Sequence, residues 1–383
     1  MQLGKDLQLR DVYSPRTVKK LALAIAAVRP EFPAAELQKR FRRSWQPLGF
    51  AERSRLIVDL LTDLLPMDFP AACDTILASL GPALQLEPGK TDWDAFIHVP
   101  LTEYIARHGC SARHFKRSMQ ALAELTKRFS SEGAVRPFIE NFPAKSLVIL
   151  EQWTRSPDVH VRRLASEGSR PRLPLAKPLH QFKTDPAPVL KLLEKLKDDP
   201  ELYVRRSVAN NLGDISKDHP DMVTNLAECW LSEAKLLPPA QKKQREWLVR
   251  HALRYLLKHG SREALRVSGY SAPELDRYTL QLASDSIAAS ADLHWTFEFE
   301  STREQPLVIY YALRYCNAAG KQRAARQFYL SERRAAAGEQ LRYTKKLSFK
   351  DLSTRKHYPG LHTLALIVNG QQIISADFML AAE

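Results

Sequence analysis

Cysteine is scarce and scattered. The 383-residue chain holds four, Cys73, Cys110, Cys229 and Cys316, with no C-x-x-C pair and no histidine near them at metal-ligand spacing. That argues against a disulfide framework and a zinc site, and predicts a reducing, cytoplasmic setting. No run of 18 apolar residues is present, so no membrane span is expected. The first residues, MQLGKDLQLRD, contain no apolar stretch suited to a secretory signal. Acid is short relative to base: 43 Asp+Glu face 57 Lys+Arg, a net charge of +14. The shortage is local. Residues 271–383 carry 14 basic against 12 acidic residues, which leaves +12 on residues 1–270. A polyanionic partner, nucleic acid above all, therefore belongs to the first 270 residues. At 44% hydrophobic and 26% charged the chain is otherwise ordinary for a globular protein, and its length allows two or three domains.

What is present is a repeat. SPDVHVRRLASEGSRPR (Ser156 to Arg172) and DPELYVRRSVANNLGDISKDHP (Asp199 to Pro220) align on Val-Arg-Arg at an offset of 43 residues. Pro157 falls on Pro200, and Arg162-Arg163 on Arg205-Arg206. A weaker third copy, EWLVRHALRYLL, sets Val249-Arg250 45 residues after Val204-Arg205. A period of this size predicts stacked helix pairs of the HEAT or armadillo kind. Each copy joins a proline-marked entry to an amphipathic, arginine-bearing helix, so arginine recurs on one face. Between the arginines stand three acids, Glu132, Glu167 and Asp214. A basic face with a few acids set into it suits an anionic polymer on which carboxylate chemistry is done.

Apolar periodicity predicts helices from Pro15 to about Pro30, and at about 34–46, 52–65, 69–82, 98–108, 112–128, 131–141, 145–155, 184–200, 221–235 and 244–259, besides the repeat helices. Ser14 is the expected N-cap of the first. Residues 1–13 read as a flexible lead and 83–97 as a Gly/Pro-rich loop, whose Trp93 either packs the loop onto the bundle or serves as a stacking residue. Glu132 and Arg136 stand four apart on the helix expected at 131–141, where an i,i+4 ion pair is the plain expectation. Glu167 ends its helix, because Gly168 follows and Pro171 and Pro174 forbid more. The macrodipole disfavours negative charge there and tends to raise its pKa, while Arg163, Arg170 and Arg172 oppose that shift. An acid so placed is better explained by use than by stability. In the second copy Val204, Val208, Leu212 and Ile215 point inward. Arg205, Arg206, Asn210, Asn211, Asp214 and Lys217 lie off that stripe and resemble a phosphate- and sugar-contacting face, although a solvated helix explains each singly.

After Gly269 the period changes. Seven short β-rich runs follow, RYTLQLAS, DLHWTFEFE, PLVIYYALRYC, ARQFYLSE, QLRYTKKLSF, HTLALIV and QIISADFML. Asn369-Gly370 predicts a type I′ hairpin. The pattern fits a small immunoglobulin-like β-sandwich over 271–383, after a mainly α solenoid over 1–270. The basic segment 342–356 either reaches a nucleic-acid backbone or is an edge strand and loop blunted by lysine.

VRRLASEGSRPRLP, VRRSVANNLGDISKDHP and EWLVRHALRYLLKHG together resemble hallmark segments of the AlkC branch of the AlkC/AlkD family of bacterial DNA alkylation repair glycosylases. The resemblance covers about residues 12–270, and the strand-rich tail is similar to the immunoglobulin-like domain that some AlkC members carry. It implies a HEAT-like solenoid around duplex DNA, and a monofunctional, metal-free hydrolase that removes N3-methylated purine, chiefly 3-methyladenine, leaving an abasic site. The family's acidic positions fall on Glu132, Glu167 and Asp214, and Gly133 stands where an aromatic is common. Arg136, Arg163, Arg170, Arg172, Arg205, Arg206 and Arg250 become the expected phosphate contacts, and Trp153 a residue that packs on a deoxyribose or in the core. Alkylation at N3 makes the base a cationic leaving group. Carboxylates would then stabilise an oxocarbenium-like sugar, and one would deprotonate water. The rival readings are a non-catalytic HEAT protein that senses distorted DNA and a protein-binding scaffold. The +12 of residues 1–270 disfavours the scaffold.

Overall fold

The computed structural model describes residues 8–84, 93–351 and 356–382. Part of the expected lead, of the loop 83–97 and of the basic segment 342–356 lies outside them. The chain forms two compact units, residues 1–218 and 219–383. The first is helical. Helix gives way to strand between Val267 and Leu275, yet the second unit begins earlier. Its helices Pro220–Ala234, Pro239–Lys258 and Arg262–Val267 cluster with the strands.

The first unit is built from helix pairs. Ser14 caps the helix Pro15–Val28 by accepting from the Thr17 N–H, as the Ser-Pro entry predicts. The supposed lead is partly anchored: Leu9–Val12 is a 3-10 turn, and Val12 and Tyr13 are buried. Around the repeat, Pro143–Trp153 packs on Ala187–Leu196, and Val159–Glu167 packs on Leu202–Ile215. Helices in equivalent places of successive repeats thus lie side by side in two layers, the HEAT-like arrangement that the 43-residue offset predicts. The core between the layers is Leu150, Val161, Leu164, Leu192, Leu193, Val204, Val208 and Leu212.

The first arginines of the two triplets share a structural job, and Arg162 also pairs with Asp199 at 2.6 Å. Arg162 donates from Nη1 to the carbonyls of Ser156 and Pro157 at 3.0 and 3.1 Å. Arg205 donates from Nη1 to those of Asp199 and Pro200 at 2.5 and 2.8 Å. Each arginine ties its helix back to the proline-marked entry of its own repeat. It satisfies carbonyls that the proline turn leaves without a partner N–H.

The strands of the second unit are β1 (Leu275–Leu282), β2 (Ser286–Ile287), β3 (Asp292–Ser301), β4 (Gln305–Arg314), β5 (Arg326–Ala335), β6 (Glu339–Ser348), β7 (Gly360–Val368) and β8 (Gln371–Leu380). They make a three-stranded sheet, β1-β3-β6, and a five-stranded sheet, β2-β8-β7-β4-β5. The two faces share one core, with Trp295, Phe297 and Phe299 of β3 meeting Leu307, Leu364, Leu366 and Phe378. Alternate residues of β3 are buried, the period-2 pattern of a sheet with one wet face. This is the immunoglobulin-like sandwich read from the sequence, with the two-residue β2 added. Asn369 and Gly370 both have positive φ, 46° and 76°, as a type I′ turn requires.

Candidate active site

The three acids come together, through arginines. Glu132 is not on a helix with Arg136. The helix begins only at Arg136, and Ser131–Val135 is a turn. Glu132 Oε2 therefore pairs with Arg163 Nη1 at 2.7 Å and accepts from Ser130 Oγ at 2.6 Å. Arg163 also lies 3.5 Å from Glu167 through Nη2, and its guanidinium sits 4.9 Å from the Tyr203 ring centre. Arg170 then joins the other two acids: Nη1 reaches Glu167 Oε1 at 2.7 Å and Nε reaches Asp214 Oδ2 at 2.8 Å. Lys217 closes the chain on Asp214 Oδ1 at 3.1 Å. The order is Glu132, Arg163, Glu167, Arg170, Asp214, Lys217, with acid and base alternating.

Glu167 and Asp214 are only 5% and 4% exposed. Burial pushes the Glu167 carboxyl up. Arg163, Arg170 and the Ser207 hydroxyl outweigh it, so the group stays below the usual carboxylate range. The helix end disfavours a charge there, and the guanidinium partners win. Arg163 and Arg170 are held above the ordinary arginine value by these acids, against burial. The second Glu167 oxygen accepts from Ser207 Oγ at 2.6 Å. Asn211 Nδ2 donates to the Ser166 carbonyl at 2.8 Å, which ties the two repeat helices together one turn from the acids. Gly168, the residue after Glu167, has an ordinary φ of −65°. It is small for a different reason: a Cβ there would stand 2.5 Å from Val135 Cγ1, so glycine lets the Glu132 turn approach the Glu167 helix end.

Several expected DNA contacts are spoken for. Arg136 is buried and donates to the carbonyls of Gly168, Arg170 and Lys177 at 3.2, 2.7 and 2.6 Å. Burial lowers its pKa to about 10. It holds a loop and is not available to a phosphate. Arg205 is the repeat tie already described, Asn211 is fully buried, and Trp153 is packed in the core. Arg163 and Arg170 are committed to carboxylates. Arg172 reaches Asp218 at 2.6 Å, away from Glu167. Arg250 lies in the second unit and pairs with Glu332 of β5, which also accepts from Tyr270. Arg206, Lys217 and Arg250 are the exposed cations of the set, the last two paired with Asp214 and Glu332, and Asn210 is half-buried. The sequence reading missed Ser207, Ser130 and Tyr203. Ser207 had a signal: it stands where Leu164 stands in the first copy, a hydroxyl at an inward-facing position. No group of three or more His, Cys, Asp or Glu among the described residues is arranged to hold a metal. No helix among them is long and apolar enough to cross a membrane.

A basic helical-repeat unit with a buried carboxylate–arginine chain, followed by an immunoglobulin-like sandwich, is the build of a HEAT-like protein suited to a polyanion. Comparison with known proteins agrees. Residues 128–256 match the family described as "DNA alkylation repair enzyme", and residues 276–382 match the C-terminal Ig-like domain described for protein YhaZ. YhaZ of Bacillus subtilis (strain 168) is 36% identical over 374 residues, spanning 97% of this chain and 99% of that protein. The Pseudomonas fluorescens alkylpurine DNA glycosylase AlkC, solved bound to DNA containing an abasic site analog, is 33% identical. It superposes with a TM-score of 0.85, covering 98% of this chain and all of that one. The chain belongs to the AlkC family of DNA alkylation repair glycosylases, in the form that carries a C-terminal Ig-like domain.

Proposed function

We propose that the protein is a monofunctional DNA glycosylase that hydrolyses the N-glycosidic bond of N3-alkylated bases, chiefly 3-methyladenine, in duplex DNA and leaves an abasic site. In this reading residues 1–270 bind DNA and do the chemistry, and 271–383 form the accessory sandwich. The observation that carries it is the chain of Glu132, Glu167 and Asp214 linked by Arg163 and Arg170. Burial works against a charge on Glu167, and Arg163 and Arg170 keep it ionised before any substrate arrives.

A cationic base leaves without a general acid, so the protein's task is at the sugar. Fixed negative charge favours the oxocarbenium-like transition state over the neutral-sugar ground state, and one carboxylate takes the proton of the attacking water. Both Glu167 oxygens are already engaged, by arginines and by Ser207. Both Asp214 oxygens are engaged as well, by Arg170 and Lys217, so in this reading both acids stabilise the sugar cation and one of the two takes the water's proton. Arg206, exposed on its helix, is the phosphate contact in this reading, while Lys217 and Arg172 reach DNA only by sharing the carboxylates they pair with, Asp214 and Asp218. The +12 of residues 1–270 supports polyanion binding.

Release of free base from duplex DNA treated with a methylating agent, with chelator present, tests the proposal. The expected product is 3-methyladenine with little 7-methylguanine. Tight, salt-sensitive duplex binding with no base released would move the assignment to a non-catalytic sensor of alkylated or distorted DNA.

A further inference from the structure

The segment that follows Glu167 carries a leucine in an unusual place. Leu175 is 97% exposed and has a φ of +61°. The non-glycine residues with positive φ among the described residues are Leu175, Arg277, Ser290 and Asn369, and Leu175 alone of these is apolar. The Ala176 N–H donates to the Leu173 carbonyl at 3.3 Å, so residues 173–176 make a β-turn with Pro174 at its second position and Leu175 at its third. Proline second and positive φ third mark a type II turn, whose third residue is ordinarily glycine or asparagine. A leucine there is strained, and it also exposes its whole side chain to water. Neither cost helps the fold.

The turn is not a loose tip. Leu173 and Leu179 are buried on either side of it, and the Leu179 N–H donates to the Pro171 carbonyl at 3.1 Å. Buried Arg136 clamps both ends of the segment, through the carbonyls of Gly168 and Arg170 before the turn and Lys177 after it. The turn forms one side of a cleft of about 660 Å³ whose lining includes Glu132. A rigid stem thus presents one apolar side chain beside the first acid of the site.

We propose that Leu175 is a wedge. It enters bound duplex at the lesion, unstacks the neighbouring base step and holds the kink that exposes the glycosidic bond to the carboxylates. Apolar side chains are the ones that serve this way, because they replace base stacking without demanding hydrogen bonds. Fixing the side chain before DNA binds spares the ordering entropy at the moment of insertion. The proposal rests on the glycosylase reading above for its purpose but not for its test.

Leu175→Gly and Leu175→Asn both suit the turn, so each should leave Tm unchanged or raise it. Both should lower single-turnover base release by on the order of tenfold or more, while Leu175→Met keeps it near wild type. In parallel, a duplex with an abasic-site analog beside 2-aminopurine reports unstacking without any chemistry. Wild-type protein should brighten the 2-aminopurine on binding, and the Gly and Asn variants should bind with little brightening. Wild-type release and wild-type brightening in both variants would overturn the wedge. If wild-type protein releases no base at all, the glycosylase reading falls, and the fluorescence comparison still decides for or against Leu175.

Discussion

Arg136 and Lys177 are joined through the backbone: the Arg136 Nη2 and Nε atoms donate to the Lys177 carbonyl at 2.6 and 3.0 Å. An arginine that reads as a phosphate contact in the sequence is a buried clamp in the fold. Arg136→Met would leave three carbonyls without this donor, and each buried unsatisfied group costs roughly 1–3 kcal/mol. The variant should lose about 3 kcal/mol or more in denaturant unfolding. The salt slope of its duplex binding should match wild type, because no phosphate contact is removed. A reduced slope would place Arg136 on the DNA.

The two arginines of the second triplet should part company. Arg206 is exposed and Arg205 is buried on its own entry turn. Arg206→Ala should leave Tm within error and reduce the slope of log K against log salt by about 1. Arg205→Ala should lower stability by about 1–3 kcal/mol and leave that slope alone. Paired thermal melts and binding titrations at several salt concentrations separate them.

Removing a carboxylate should abolish chemistry and spare binding. Glu167→Gln and Asp214→Asn keep the shapes and should slow base release by on the order of a hundredfold or more. Affinity for undamaged duplex should hold or rise, since a negative charge is gone from a basic surface. Affinity and excision falling together would make the acids structural partners of the arginines.

The pH response follows from Glu167. Its folded pKa lies below the ordinary carboxylate value, so at neutral pH the ionised form stabilises the fold. That contribution is complete above the unfolded carboxylate pKa and is lost as pH falls through the lower, folded one. Release should therefore be flat from neutral pH down to the ordinary carboxylate range and decline below it. Arg170→Met removes a partner that lowers the Glu167 pKa, so its acid decline should begin at higher pH, and breaking a buried pair should cost about 3–5 kcal/mol. A pH–rate profile of the variant that superimposes on wild type would show that Arg170 does not hold Glu167 charged.

The architecture was legible because it rests on period. A 43-residue offset marks stacked helix pairs, and alternating β-rich runs mark a sandwich, whatever the side chains go on to touch. The acids were legible too, as isolated charges in an arginine-rich stretch. The arginines' partners were not. Whether a guanidinium meets a carbonyl, a carboxylate or solvent depends on which turn packs opposite, and neither Arg136 nor Arg205 announces that locally. The Glu132–Arg136 spacing misled for the same reason. A turn replaces helix before Arg136, and Glu132 swings to Arg163, thirty-one residues on. The strain at Leu175 had a partial signal in Pro174-Leu175, but Leu is not the residue from which a left-handed turn position is expected.

The shared tie of Arg162 and Arg205 has a consequence for how the repeat can be engineered. In both copies the first arginine of the triplet serves the scaffold. The second has diverged, into a bridge between acids at Arg163 and a solvent-facing cation at Arg206. Duplication has separated upkeep from trade within one dipeptide. A consensus repeat built by averaging the copies would reproduce the tie and fold well. It would also erase the difference between the second arginines, and the resulting array would be a sturdier solenoid with no active site.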